Sequence, residues 1–144
     1  MDVLREYFKM DNLAAALNMK IEHIEPGGAV VTMPVSEIHM NGLNAVHGGA
    51  LFSLADFCFA VASNSHGRAA VAVNVNMAFY RAVTSGILTA TAHETHLGNR
   101  LAGYTVNVTD ASGALAAVMQ GMVYRKNETI EEIVAQRKAE EAHS

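Results

Sequence analysis

Apolar residues change their period twice along this chain, and each change marks a new kind of element. Between 3 and 18, Leu4, Tyr7, Phe8, Leu13 and Leu17 recur at roughly helical spacing, which predicts an N-terminal helix. Two short β-prone runs follow at 19–25 and 29–35, divided by the turn signal Pro26-Gly27-Gly28. Residues 36–46 carry neither period and read as a loop. The stretch 48–64 is a second helix, rich in Ala and Leu and closed by His66-Gly67. Beyond it come four runs rich in Val, Thr, Ala and aromatics, at 69–83, 87–96, 101–109 and 114–124. Ser85-Gly86, Gly98-Asn99 and Asp110-Ala111-Ser112-Gly113 separate them as hairpin connections. Consecutive strands on short turns make an antiparallel sheet. The tail, 130–142, reads as a polar helix with charges spaced to pair along its surface.

The helix at 48–64 is apolar nearly all round, so it cannot lie on a surface and must be wrapped. The expectation is an α+β domain spanning 1–144, with a curved six-stranded antiparallel sheet around one long buried helix. Composition agrees: with 51% hydrophobic and 17% charged residues in 144, one packed core is expected and disorder is not. A net charge of −4 offers no footprint for nucleic acid. The longest apolar run, 48–62, falls short of the roughly 20 residues a bilayer requires and has Asp56 at its middle, so no membrane role is expected. The charged, interrupted N-terminus is unlike a signal peptide. A single cysteine, Cys58, between Phe57 and Phe59, reads as a buried structural thiol and fits a reducing, cytoplasmic compartment.

Asp56 is the anomaly in this pattern. It is the only charge between Gly48 and Ala62, a poor helix-interior residue, and costly to bury unless paired or solvated in a cleft. A structural role would have it cap a neighbour or pair with an arginine such as Arg68, Arg81 or Arg100; the alternative gives it chemistry. His47-Gly48-Gly49 stands where the helix begins, and free N–H groups at a helix start suit an anion or a carbonyl oxygen gaining charge. Asn41-Gly42 adds a side-chain amide just upstream. Gly48 and Asp56 are eight residues apart, hence about 12 Å along the helix axis, so one reacting carbonyl cannot touch both on the same helix. If both serve one reaction, a two-fold dimer with antiparallel helices must bring them together.

Asn41-Gly42, His47-Gly48-Gly49 and Leu51-Phe52-Ser53-Leu54-Ala55-Asp56 together resemble the signature of hot-dog-fold acyl-CoA thioesterases, in the phenylacetate-catabolism (PaaI-like) branch. The likeness continues through 62–67, through Phe79-Tyr80-Arg81 and through 110–116, and departs at Ala82, where the family usually has proline after the arginine. The resemblance implies dimers whose sheets join, often paired into tetramers, and no metal or redox cofactor. It implies that Asp56 acts as nucleophile or general base, that the Gly48 N–H polarises the thioester carbonyl, and that Asn41 and His47 shape the site. The expected reaction is hydrolysis of an aromatic or short-to-medium acyl-CoA, with Gly49 assisting Gly48; Leu51, Leu54 and Phe57 suit an acyl pocket and a plain core equally well.

CoA carries phosphates, so cations should rim the entrance: Arg81 and Arg100 with Asn99, and less strongly Arg68 and Arg125. Among the seven histidines, His93 and His96 are three apart in a predicted strand and should face opposite ways, and no metal-ligand spacing is present. Ser53 and Ser63 lack a nucleophile-elbow motif. Two other readings stand beside the thioesterase: a same-fold hydratase or dehydratase of acyl thioesters using His47 with Asp56, and a non-catalytic acyl-CoA sensor.

Overall fold

Two strands precede the central helix and four follow it, as the patterning requires, in a computed structural model that describes all 144 residues. The elements are α1 (Asp2–Phe8), α2 (Asn12–Ala16), β1 (Lys20–Glu25), β2 (Gly28–Pro34), α3 (Gly48–Ser63), β3 (Arg68–Phe79), β4 (Ile87–Leu97), β5 (Leu101–Thr109), β6 (Leu115–Thr129) and α4 (Ile130–His143). The strands form one antiparallel sheet in the order β1-β2-β4-β5-β6-β3. The α3 helix lies on it, contacting β2, β4 and β5 most. No helix is long and apolar enough to cross a membrane.

Four expectations need correction. The single N-terminal helix is two, because Asp11 Oδ1 accepts the Ala14 N–H at 3.0 Å and starts a new helix there. Strand β3 stops at Phe79 rather than running to 83, since the Tyr80 and Arg81 N–H groups both turn to the Ala116 carbonyl. Strand β6 runs on to Thr129, five residues past the apolar pattern, by pairing with the start of β3 at Arg68. Finally, β4 carries an irregularity at Thr95: His93 lies opposite Thr105 and His96 opposite Gly103. One extra residue restores the parity, so the two histidines share a face.

The helix α3 is also less enclosed than its composition predicts. Its Leu54, Ala55, Cys58, Val61 and Ala62 are fully buried against the sheet. Gly49, Phe52, Ser53, Asp56 and Ala60 form a stripe along the other side that the chain's own sheet leaves open. Phe59 anchors the helix to the sheet, its ring edge-on to Tyr104 and seated on Gly121 of β6. Burial pushes the Cys58 thiol up to about 12, and its Sγ donates to the Ala29 and Ala90 carbonyls, which makes it an inert structural thiol. The last helix, α4, buries Ile130 and Val134 and packs on α1, where Lys138 meets Glu6 at 3.0 Å and Arg137 lies over Tyr7.

Candidate active site

The loop before α3 is held rigid by a residue that the sequence did not mark. His39 is wholly buried; its Nδ1 accepts the Ser36 N–H and its Nε2 donates to the Leu17 carbonyl at 2.7 Å. Its own carbonyl accepts the His47 N–H at 2.7 Å, and Val46 donates to Val83. Asn41 closes the loop between them, its Oδ1 accepting the Leu43 and Ala45 N–H groups. That engagement leaves the Asn41 amide NH₂ as the free end, directed by a fixed oxygen.

His47 caps α3: its Nδ1 accepts the Gly49 N–H at 2.8 Å. A backbone N–H can only donate, so neutral His47 carries its proton on Nε2. The Gly49 N–H is therefore engaged, whereas the Gly48 N–H has no partner within the chain. Of the two glycines expected to act together, one offers a free donor. Phe79 stands beside it, 3.8 Å from where a side chain on Gly48 would begin.

Asp56 sits half-buried on the open stripe of α3, with no hydrogen bond and no cation at its carboxylate. Burial first, and the neighbouring Asp11 carboxylate second, push its pKa above the ordinary aspartate value. The arginine pairing that would have explained Asp56 structurally is absent: Arg81 lies 3.9 Å from Asp110, and Arg68 and Arg100 are at the far end of the sheet. A cavity of about 190 Å³ opens beside Asp56, walled by Phe52, Phe57 and Ala60 of α3 and by Leu13, Ala14 and Met19 of the N-terminal segment. Phe57 borders this cavity while also belonging to the buried core; Leu51 and Leu54 are buried in the core and do not border it. Neither Asp11 nor Met19 was singled out by pattern, although Asp before a helical run is an N-cap signal.

The expected cations divide into two places. Arg81 is half-exposed at the Phe79 end of β3, near Gly48, beside an Asp110 whose carboxyl is held below the usual range by Ser112 and by backbone N–H groups. Asn99 and Arg100 lie at the β4–β5 turn with Arg68 and Arg125. There Arg68 donates to Asn99 and to the Arg125 carbonyl, Arg100 to Asn127, and Arg125 to the Gly98 carbonyl. None of these three guanidiniums meets a carboxylate. The 11 intervals of β3 from Arg68 to Phe79 separate the two places by about 36 Å. A single chain does not bring them together. No group of three or more His, Cys, Asp or Glu side chains is arranged to hold a metal ion.

Residues 43–117, which carry His47, Gly48, Asp56, Arg81, Asn99 and Arg100, match the thioesterase superfamily. The chain belongs to that family. It is 40% identical over 124 residues to the acyl-coenzyme A thioesterase PaaI of Escherichia coli, covering 85% of this chain and 89% of PaaI. The structure of the E. coli PaaI protein from the phenylacetic acid degradation operon superposes with a TM-score of 0.85 at 36% identity, over 89% of this chain and 94% of PaaI. A point mutant of the phenylacetic acid degradation protein PaaI from Thermus thermophilus gives a TM-score of 0.76 at 38% identity, over 79% and 98% of the two chains. The chain is accordingly a thioester hydrolase with the hot-dog fold.

Proposed function

We propose that this thioesterase hydrolyses acyl-CoA, with aromatic or short-to-medium acyl groups, at two sites in a homodimer. The observation that carries the reading is the unpaired, half-buried Asp56 carboxylate beside an apolar cavity, on a helix whose first N–H is free. Uncompensated carboxylates in apolar surroundings are costly and are retained where they do chemistry. The relative with the same fold at 40% identity is an acyl-coenzyme A thioesterase, which supports CoA as the carrier.

Two features support the dimer. Gly48 and Asp56 lie about 12 Å apart on one axis, so a carbonyl polarised by Gly48 needs the carboxylate of a second chain. Strand β3 is a 12-residue edge with Val71 and Val73 exposed, whereas the other edge, β1, is guarded by Lys20, Glu22, His23 and Glu25. Long apolar edges invite pairing and charged ones resist it. Antiparallel β3–β3 pairing would set the Arg68 end of one strand beside the Phe79 end of its partner. The cluster of Arg68, Asn99, Arg100 and Arg125 then rims the partner's entrance together with Arg81, where CoA phosphates require cations.

In the reaction, the Gly48 N–H donates to the thioester oxygen as it gains charge, aided by the Asn41 amide. Asp56 of the partner subunit then takes one of two routes. As nucleophile it forms a mixed anhydride, expels the CoA thiolate, and water hydrolyses the anhydride. As general base it removes a proton from water, whose hydroxyl attacks the carbonyl; the C–S bond breaks and the thiolate takes up a proton. The products in both cases are a carboxylic acid and CoA. Free-thiol release from a panel of aromatic, short and medium acyl-CoAs, with Asp56→Ala in parallel, tests the reading. Hydrolysis lost in a folded Asp56→Ala dimer supports it; undiminished hydrolysis in that variant refutes the role of the carboxylate.

A further inference from the structure

The cavity beside Asp56 has a second acidic wall. Helix α1 ends at Phe8, and the chain restarts as α2 on Asp11, whose Oδ1 holds the Ala14 N–H at 3.0 Å. Ser, Thr or Asn would cap this helix as well without charge. Asp11 instead brings a carboxylate, fixed by its cap, onto the wall of the 190 Å³ cavity that Asp56 also lines. Like charges lining one half-buried cavity interact more strongly than they would in bulk water.

The geometry points to Asp11 as a positioning residue of the thioesterase site: fixed by the α2 cap, its charge acts on Asp56 across the cavity and sets how strong a base that carboxylate is. The inference rests on the reading of Asp56 as the working carboxylate. The direction of the Asp56 titration agrees, with burial the larger cause and Asp11 the second. Other charges do not displace this pairing. Helix α3 carries no second charged residue. Beneath it, Glu94 of β4 is engaged by His66 at 2.6 Å and by the Tyr104 hydroxyl at 2.7 Å. On the far side of Asp11 one neighbouring cavity is lined by Arg5, Lys9 and Lys20 and another by Arg137, and none of these cations forms an ion pair with Asp11. A carboxylate made more basic gains proton-transfer driving force and loses activity in acid, which is the trade-off expected of a general base.

The test compares the parent with Asp11→Asn, which keeps the cap and removes the charge, and with Asp11→Ala, which removes both. Since ionised Asp56 is the working form, kcat/KM falls as pH drops through its pKa. Removing the Asp11 charge lowers that pKa, so the acidic limb moves to lower pH in both variants, while only Asp11→Ala loses stability. Raising ionic strength should narrow the gap between parent and Asp11→Asn. Superimposable acidic limbs would overturn the inference. Carbon-13 NMR titration of the Asp56 carboxyl reads the same coupling without turnover. A lower midpoint in Asp11→Asn supports the coupling even if no acyl-CoA is hydrolysed, in which case the functional reading fails and the coupling stands; an unmoved midpoint refutes the coupling whatever the activity.

Discussion

Replacing Gly121 by Ala should unseat the helix that carries Asp56. A Cβ at Gly121 would lie 2.7 Å from Phe59 Cζ and 3.0 Å from both Cε atoms. Carbon atoms rest at about 3.5–4.0 Å, so the ring must retreat by roughly 1 Å. Phe59 has little freedom to do so: it is 1% exposed and edge-packed on Tyr104 at 5.8 Å. Overpacking of this kind costs roughly 1–3 kcal/mol, whereas replacing a strand glycine by alanine regains only about 0.5–1 kcal/mol of backbone entropy. The clash wins, with a net loss of about 1–2 kcal/mol, or roughly 3–8 °C in Tm for a chain of this size. Urea unfolding at fixed protein concentration measures it. Phe59→Leu in the same chain should relieve the clash, so the double variant should be more stable than the sum of the single changes implies, by roughly 1 kcal/mol. A Gly121→Ala protein as stable as the parent, or strictly additive effects, would refute the packing argument.

Asp56→Asn should abolish thiol release yet raise stability at neutral pH. The folded-state pKa of Asp56 is raised, so the proton it binds favours the folded chain below the unfolded value of 3.8, and that contribution is lost as pH rises through the folded pKa. The parent should therefore fall behind Asp56→Asn across that window in thermal melts from pH 3 upward, and equal stability at pH 7 would contradict the assignment. Val73→Lys places a charge on the exposed β3 edge and should give a monomer by light scattering that no longer hydrolyses acyl-CoA; an active monomer would contradict the shared site. Arg100→Gln should raise KM for acyl-CoA with kcat nearly unchanged, and should leave a truncated pantetheine thioester unaffected; equal effects on both substrates would remove Arg100 from phosphate binding.

Much of this was legible in the chain. Strands of Val, Thr and Ala between Gly-rich turns fix an antiparallel sheet, and a helix with one carboxylate in an apolar run marks Asp56. What was hidden has physical reasons. The end of β6, Arg125 to Thr129, has no apolar alternation and is a strand only because β3 lies beside it. Thr95 gives no local sign of the irregularity that turns His93 and His96 to one face. His39 looks like any polar loop residue until Leu17 and Ser36 are brought to its two nitrogens. The break at Asp11 was readable as an N-cap, but the hydrophobic spacing across it continued and masked it. The engagement of the Gly49 N–H by His47 depends on a side-chain rotamer, which no residue pattern specifies.

In the proposed dimer each site takes Gly48 from one chain and Asp56 from its partner, and mixing two inactive variants reveals whether it does. Gly48→Pro deletes the N–H at the first position of a helix, where proline is tolerated; His47 before it is already extended, at φ −60 and ψ 138. Gly48→Pro and Asp56→Ala homodimers should each be inactive. Unfolded together in equal amounts and refolded, half the dimers are mixed, and each holds one site with both groups intact, so about one quarter of parental activity should return. A mixture as inactive as its components would place both groups in one chain and contradict the account.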